Sequence, residues 1–348
     1  MTSRPSSTTT TTVLVTGAGG FIALHCILQL LEQGYRVRGT LRSLSREAAL
    51  RGTLSETIDA GERLEFVAAD LLKDEGWQAA VQGCEYVLHV ASPFPAQEPE
   101  REDDLIAPAR EGSLRVLRAA AAGGVKRVVL TSSLAAVLEG RWKGHRTFDE
   151  NNWSDVNGKI GAYAKSKTLA ERAAWDFVKN LEGNHPLELS VINPSYVLGP
   201  PLGDDVRTSG ELISRLMRHE IPGVPHIRWL IVDVRDVAAA HIAAMTVPEA
   251  AGQRFCCTAE SCWTRDIALI LDRHFAARGY RIPTNEIPDF VVRLVGMFDK
   301  TVRLTVDSLG KDYTISTARI NRVLNWQPHT LEDTVVSMAE SMIRHGVV

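Results

Sequence analysis

The chain has 348 residues, of which 45% are hydrophobic, and a formal net charge of −3. That is ample apolar material for a sizeable core in one large domain or two small ones. The slightly acidic balance gives no electrostatic case for nucleic acid or an anionic membrane surface.

In chain order, residues 1–12 are polar, rich in Ser and Thr and without an apolar centre, and so predict a disordered tail rather than a secretory signal. Val13-Leu14-Val15-Thr16-Gly17-Ala18-Gly19-Gly20-Phe21-Ile22-Ala23 reads as strand, tight turn and helix, the helical periodicity resuming through Ile27, Leu30 and Leu31. Gly17 allows the turn, Gly20 lets the backbone approach a pyrophosphate, and Ala23 is small enough for close helix–strand packing, with the phosphates at the positive end of the helix. Further strand-like runs at 36–41, 64–68, 86–90, 127–131, 187–193 and 254–258 follow a first at 12–16. Helical segments are expected between them at 23–33, 46–59, 76–81, 107–122 and 162–181. Alternating strands and helices, with strands that are nearly continuous apolar runs, predict an α/β doubly wound parallel sheet covered on both faces. Its ligands belong at the carboxyl ends of the strands, where Gly17, Asp70, Ser92 and Ser133 fall.

The second strand-like run continues as Arg36-Val37-Arg38-Gly39-Thr40-Leu41-Arg42-Ser43-Leu44-Ser45-Arg46, with four arginines and no acid. A carboxylate here would bind an adenosine ribose, whereas an arginine accommodates its 2′-phosphate, so the segment favours NADP(H), with Arg42 just past the strand end. An exposed, basic sheet edge is the plainer alternative. Asp70 can accept from an adenine amino group or simply close a turn. His89 reads as a packed strand residue.

Thr131-Ser132-Ser133 ends the fifth strand, and Tyr163 and Lys167 follow four residues apart on one helical face. An ammonium near a phenol should lower the tyrosine pKa toward the range useful for acid–base work. By itself the pair also fits a solvated helix face. Beyond Asn193 the pattern changes to proline- and glycine-rich segments, a helix at 210–218, and a capped helix opening at Asp233; from Trp263 onward mainly helices are expected. This divides the chain into a tail (1–12), a nucleotide domain (13–198 plus 231–258) and a smaller, mainly helical substrate lobe (199–230 plus 259–348). Cys26, Cys84, Cys256, Cys257 and Cys262 are an odd number in apolar surroundings without zinc-ligand spacing, which predicts reduced thiols, a cytoplasmic protein and no metal. Apolar stretches are interrupted before the ~20 residues needed to span a bilayer, so no membrane association is expected.

The residues Thr16-Gly17-x-x-Gly20-Phe21-Ile22-Ala23, Val37-Arg38-Gly39-Thr40-x-Arg42, Ala69-Asp70-Leu71, His89-Val90-Ala91-Ser92-Pro93, Thr131-Ser132-Ser133, Asp149-Glu150-x-x-Trp153, Tyr163/Lys167 and Asn193-Pro194-x-Tyr196-Val197-x-Gly199-Pro200 occur in this order. Together they resemble the extended short-chain dehydrogenase/reductase family, in the branch of dihydroflavonol, cinnamoyl-CoA and microbial carbonyl, methylglyoxal and aldehyde reductases. The resemblance implies a Rossmann domain and a catalytic set of Ser133, Tyr163 and Lys167. It implies cofactor contacts from Gly17, Gly20, Phe21, Ile22, Arg42, Asp70, Leu71, Ala91, Ser92, Tyr163, Lys167, Pro194, Val197 and Ser209. Where epimerases and dehydratases of the wider family carry Gly-x-x-Asn, this chain has Gly112-Ser113-Leu114-Arg115, which leaves the proton relay behind Lys167 without an assigned residue.

The expected activity is hydride transfer from NADPH to an aldehyde or ketone, with Tyr163 as proton donor and Ser133 holding the carbonyl oxygen. Phe94, Leu134, Tyr196 and Trp229 are candidate pocket walls, and a monomer or homodimer is expected. The alternatives are a sugar-nucleotide epimerase or dehydratase with retained NAD, which calls for an acid after the second strand, and a dinucleotide-binding sensor without turnover, which has no use for the Ser, Tyr and Lys set.

Overall fold

A computed structural model describes residues 11–93, 99, 101–142, 144–181, 187–204, 210–298, 306, 309–311 and 313–348. Strands form where the sequence offers short apolar runs: β1 (Thr12–Val15), β2 (Arg36–Leu41), β3 (Leu64–Ala68), β4 (Tyr86–His89), β5 (Arg127–Thr131), a short β6 (Arg146–Phe148), β7 (Glu188–Pro194), β8 (Tyr196–Leu198), β9 (Val224–Pro225), β10 (Arg228–Asp233) and β11 (Arg254–Cys257). Seven of them join, all parallel, in the order β11-β7-β5-β4-β1-β2-β3. Because β1 pairs with β2 on one side and β4 on the other, the winding reverses between β1 and β4, the switch point outside whose strand ends such sheets hold their ligands in a crevice. The doubly wound sheet is as the sequence predicts.

Successive side chains of β1 serve opposite layers. Val13 and Val15 pack under helices α1 (Phe21–Glu32) and α7 (Val234–Thr246), whereas Leu14 packs under α3 (Trp77–Val81), α4 (Asp103–Ala122) and α5 (Ala162–Lys179). On α1 the positions Cys26, Ile27, Leu30 and Leu31 all face the sheet and are at most 1% exposed. Each such leucine contributes about 1.5–3 kcal/mol by leaving water. Helix α2 (Glu47–Ser55) is shorter than the expected 46–59, the first turn being a 3-10 segment at Leu44–Arg46. Helix α4 begins four residues before the expected 107 and runs through Pro108. Asp103 and Asp104 in its first turn favour the helix start through the dipole, whereas Pro108, in the second turn, leaves the Asp104 carbonyl without its helical N–H partner.

The remaining elements are α6 (Glu211–Met217), β12 (Glu260–Trp263), α8 (Thr264–Phe275), β13 (Glu286–Ile287), α9 (Asp289–Gly296), β14 (Tyr313–Ile315), α10 (Ala318–Leu324) and α11 (Leu331–Arg344). A second core joins α6, α8 and α11 through Ile213, Leu216, Leu271, Phe275, Val335 and Met338. The sequence predicts helices here and misses three small sheets: β12-β10-β8, β13-β9 and β14-β6. Strands of two to six residues are too short to show a period-two pattern. Ile320, Leu324 and Trp326 pack not on this second core but on the α1/α7 side of the large sheet, and Trp326 Nε1 donates to the Asp236 carbonyl at 3.0 Å.

Candidate active site

The glycine-rich turn is pressed between two strands. Gly17 has φ +66, donates its N–H to Thr40 Oγ1 at 2.9 Å, and a Cβ there would lie 2.9 Å from Ala91 Cβ. On the β2 side, a Cβ at Gly39 would come within 2.7 Å of Ala18 Cβ. Gly20 closes the turn by donating to the Gly17 carbonyl at 2.8 Å and begins α1, whose first turn holds Phe21 and Ile22, no acidic residue and no side-chain cap. Backbone N–H groups without helical partners therefore face the crevice with the positive end of the dipole, which suits an anionic diphosphate. Thr16 Oγ1 accepts the Ala91 N–H at 3.0 Å and hydrogen-bonds His89 Nδ1 at 2.8 Å, so the loops after β1 and β4 are clipped together. His89 is buried, and desolvation pushes it down to about 3, so it is a neutral packing residue as expected.

The four arginines of the second strand region separate into two pairs. Arg38 turns away from the crevice, donating to Glu65 at 2.6 Å and to the Ala80 and Gln82 carbonyls at 3.0 and 2.6 Å, and Arg36 reaches the Glu62 carbonyl at 3.3 Å. Arg42 is exposed just past the end of β2. Arg46, which the sequence reading did not single out, lays its guanidinium over the glycine turn, 3.1 Å from where a Gly19 Cβ would stand. Its signal was available, since Arg42 and Arg46 flank one short turn. Asp70 Oδ1 accepts the Leu72 N–H at 3.0 Å and the Asp70 carbonyl accepts Trp77 Nε1 at 3.0 Å, so Asp70 closes a turn at the crevice rim. Leu71 packs on Gly112. Arg115 is turned outward, paired with Asp74 and donating to the Leu71 carbonyl, and so does not stand behind Lys167.

Ser133, Tyr163 and Lys167 come together at the ends of β5 and the start of α5. The Tyr163 hydroxyl hydrogen-bonds the Ser133 side chain, and Lys167 Nζ lies 5.8 Å from the Tyr163 ring centre. Ser133 Oγ also accepts the Ala135 N–H at 3.1 Å, which fixes its rotamer. Lys167 is 7% exposed, and burial pushes it down to about 8, with Glu171 pulling it back up. The expected lowering of Tyr163 is not found. Burial raises the phenol above its ordinary value, and the Ser133 hydrogen bond only partly offsets this. Desolvation of a phenolate outweighs the attraction of an ammonium that is itself poorly solvated.

Ala91 and Ser92 follow β4, Pro194 ends β7, and Val197 lies in β8, beside Val232 of β10. The Tyr196 and Trp229 rings meet at 4.8 Å between centres, tilted by 39°, with Trp229 Nε1 donating to Thr264 Oγ1, and Leu134 is buried in a neighbouring cluster with Trp142, Phe148 and Tyr313. Ser209 and Phe94 lie outside the described residues. All five cysteines are buried free thiols. Among the described residues no cluster of metal-ligating side chains occurs, and no helix is long and apolar enough to cross a membrane.

The sequence profile of the NAD dependent epimerase/dehydratase family matches residues 13–256. Cinnamoyl-CoA reductase 1 of Petunia hybrida is 39% identical over 277 residues, covering 78% of this chain and 79% of the relative. NADPH-dependent methylglyoxal reductase GRE2 of Saccharomyces cerevisiae is 35% identical over 297 residues, covering 79% of this chain and 85% of the relative. Among solved structures, yeast methylglyoxal/isovaleraldehyde reductase Gre2 complexed with NADPH superposes with a TM-score of 0.81 at 29% identity, over 97% of this chain and all of that one.

Proposed function

The chain belongs to the NAD dependent epimerase/dehydratase family, the extended short-chain dehydrogenases/reductases, and within it we propose an NADPH-dependent reductase of small or medium aldehydes and ketones that uses Tyr163 as proton donor. The observation that carries this reading is the meeting of Ser133, Tyr163 and a buried Lys167 at the strand ends, beside a glycine turn shaped for a diphosphate. The fit to the cofactor rests on that turn: a side chain is excluded at Gly17 by Ala91 and at Gly39 of the neighbouring β2 by Ala18 and Phe66, while the α1 N-terminus carries no side-chain cap that would compete with an anion.

Gly17, Gly20, Phe21 and Ile22 would hold the diphosphate, Arg42 and Arg46 the 2′-phosphate, Asp70 and Leu71 the adenine, and Ala91, Ser92, Pro194, Val197 and Lys167 the nicotinamide end. When bound, NADPH supplies the hydride for the carbonyl carbon. The Ser133 hydroxyl donates a hydrogen bond to the carbonyl oxygen, where charge builds up. Tyr163 passes its proton to the same oxygen, and Lys167 stabilises the phenolate left behind. The high pKa of the Tyr163 phenol suits a group that must hold its proton until the oxygen becomes basic. Tyr196, Trp229 and Leu134 supply an apolar wall, which favours a carbonyl with an apolar substituent. The epimerase alternative has no support after β2, where Arg42 follows the strand end at which a ribose-binding acid would be needed.

Carbonyl compounds added to the protein with NADPH, and with NADH alongside, test this reading by the loss of reduced-nicotinamide absorbance. Turnover of at least one aldehyde or ketone with preference for NADPH is the expected result. Activity with NADH alone, or none across an aliphatic and aromatic panel, sinks it.

A further inference from the structure

Beneath the proposed site lies an ion pair that the reaction as written does not use. Glu171 is 1% exposed and continues the Tyr163–Lys167 face of α5 by one more four-residue step. A carboxylate is tolerated at such depth only when paired and hydrogen-bonded. Arg254 of β11 grips both of its oxygens, Nε reaching Oε1 and Nη2 lying 3.3 Å from Oε2. Ser132 Oγ donates to Oε2 at 2.6 Å, Asn193 Nδ2 donates to the same oxygen at 2.8 Å, and Trp175 Nε1 reaches Oε1 at 3.3 Å. Asn193 Nδ2 also donates to the Ser133 carbonyl at 3.2 Å, so one amide ties the carboxylate to the backbone of the proposed catalytic serine. Arg254 is held in turn by the Glu150 and Asn152 carbonyls at 2.9 and 3.0 Å and lies 3.7 Å over the Trp153 ring. The Asp149-Glu150-x-x-Trp153 motif is thus a cradle for Arg254.

We infer that Glu171, held by Arg254, is a positioning residue for the reduction, fixing the strand end that presents Ser133 and sustaining the ammonium form of Lys167. This rests on the reductase reading above. The charged and titratable surroundings of Lys167 are few. On its own helix stand Tyr163 and Glu171; at the end of β4 stands His89, neutral because burial pushes it to about 3. The buried face of α4, packed along α5, is Leu105, Ala109, Gly112, Ser113, Val116, Leu117 and Ala120, with no charge. Glu171 is therefore the group that opposes the downward push of burial on Lys167.

Glu171→Gln keeps the shape and an acceptor for Ser132 and Asn193 but removes the charge, and Glu171→Asp keeps the charge but withdraws it from both partners. In the Gln variant kcat should fall tenfold or more, on the order of a lost electrostatic partner, and the alkaline limb of its pH profile should move toward acid by about 1 unit. In the Asp variant kcat should fall by roughly tenfold with the limb in place, as the charge remains. A purely structural ion pair would alter melting temperature and leave the limb where it is. Lys167 titration followed by NMR in 13C-lysine-labelled protein, without substrate, reads the same shift independently of turnover. A Gln variant whose Lys167 titrates with the wild type overturns the role of Glu171. Wild type inert toward every carbonyl, with the Lys167 shift still present, overturns the reductase reading alone. Should the Gln variant not fold, the Asp variant decides, since kcat undiminished there contradicts the tie to Ser133.

Discussion

The two ends of the crevice are built on opposite principles. At the end proposed for the adenosine, Arg42 and Arg46 lie exposed beyond β2, and the groups that shape the turn beside them are backbone amides and absent side chains. At the other end only Ser133 and Tyr163 are partly exposed, and the polar side chains behind them, Lys167, Glu171, Ser132, Asn193 and Arg254, are sunk in the core, each at most 7% exposed. Exposed charges are screened by salt and cheap to replace; buried ones shift pKa values and are strongly coupled to their neighbours. The first end is suited to affinity and cofactor choice, and the second to chemistry.

The largest expected effect is at the buried end. Tyr163→Phe removes one hydroxyl and keeps the ring, so NADPH binding by fluorescence should survive while turnover at saturating NADPH drops ~100- to 10,000-fold. Turnover within a few-fold of wild type would make the tyrosine a structural helix residue and erase the contrast between the two ends. Ser133→Ala should follow with a loss on the order of 100-fold in kcat, as for one oxyanion donor. An unchanged kcat there would leave the oxygen-binding role without an owner.

Arg42→Ala tests the exposed end. One charge-assisted contact is worth about 1.5–3 kcal/mol, so the NADPH dissociation constant should rise about ten- to a hundredfold, with kcat preserved and the loss shrinking at high salt. A mutant that binds NADPH like wild type returns Arg42 to an ordinary sheet edge.

The last effect is on stability in acid, and it comes from three buried histidines. His25, His89 and His241 are buried and pushed down from 6.5 to about 4, 3 and 4. Below pH 6.5 the unfolded chain therefore takes up protons that the folded chain refuses, and stability falls as pH drops from 6.5 toward 4. Each histidine costs about 2 kcal/mol at pH 5 relative to pH 7. Melting temperature should decline between those pH values, and His89→Asn, which keeps a polar partner for Thr16, should decline less steeply. Identical slopes in mutant and wild type would show that His89 does not contribute.

The difference between the ends also governs what was legible in the sequence. Gly17, Gly20, Arg42 and the parallel strands are local patterns, each readable within about ten residues, and the structure follows them closely. Tyr163 and Lys167 are likewise one helical step apart. Glu171 and Arg254, in contrast, are separated by 83 positions, and Asn193 and Trp153 join them from two further segments. Nothing local announces such a pair, because its partners meet only through the order of β5, β7 and β11 in the sheet. The pKa of Tyr163 was misjudged for the same reason: a lysine at four residues is visible in sequence, and the burial that outweighs it is not.

The separation of Glu171 and Arg254 also has a bearing on biosynthesis. A ribosome delivers α5 long before β11, so for the span between them the nascent chain carries a carboxylate destined for the core without the guanidinium that neutralises it. Burying it at that stage carries the full penalty of an uncompensated charge. Docking of α5 onto the sheet before residue 254 is available therefore leaves that carboxylate uncompensated, and a product ending short of Arg254 is expected to hold α5 less firmly than the full chain does.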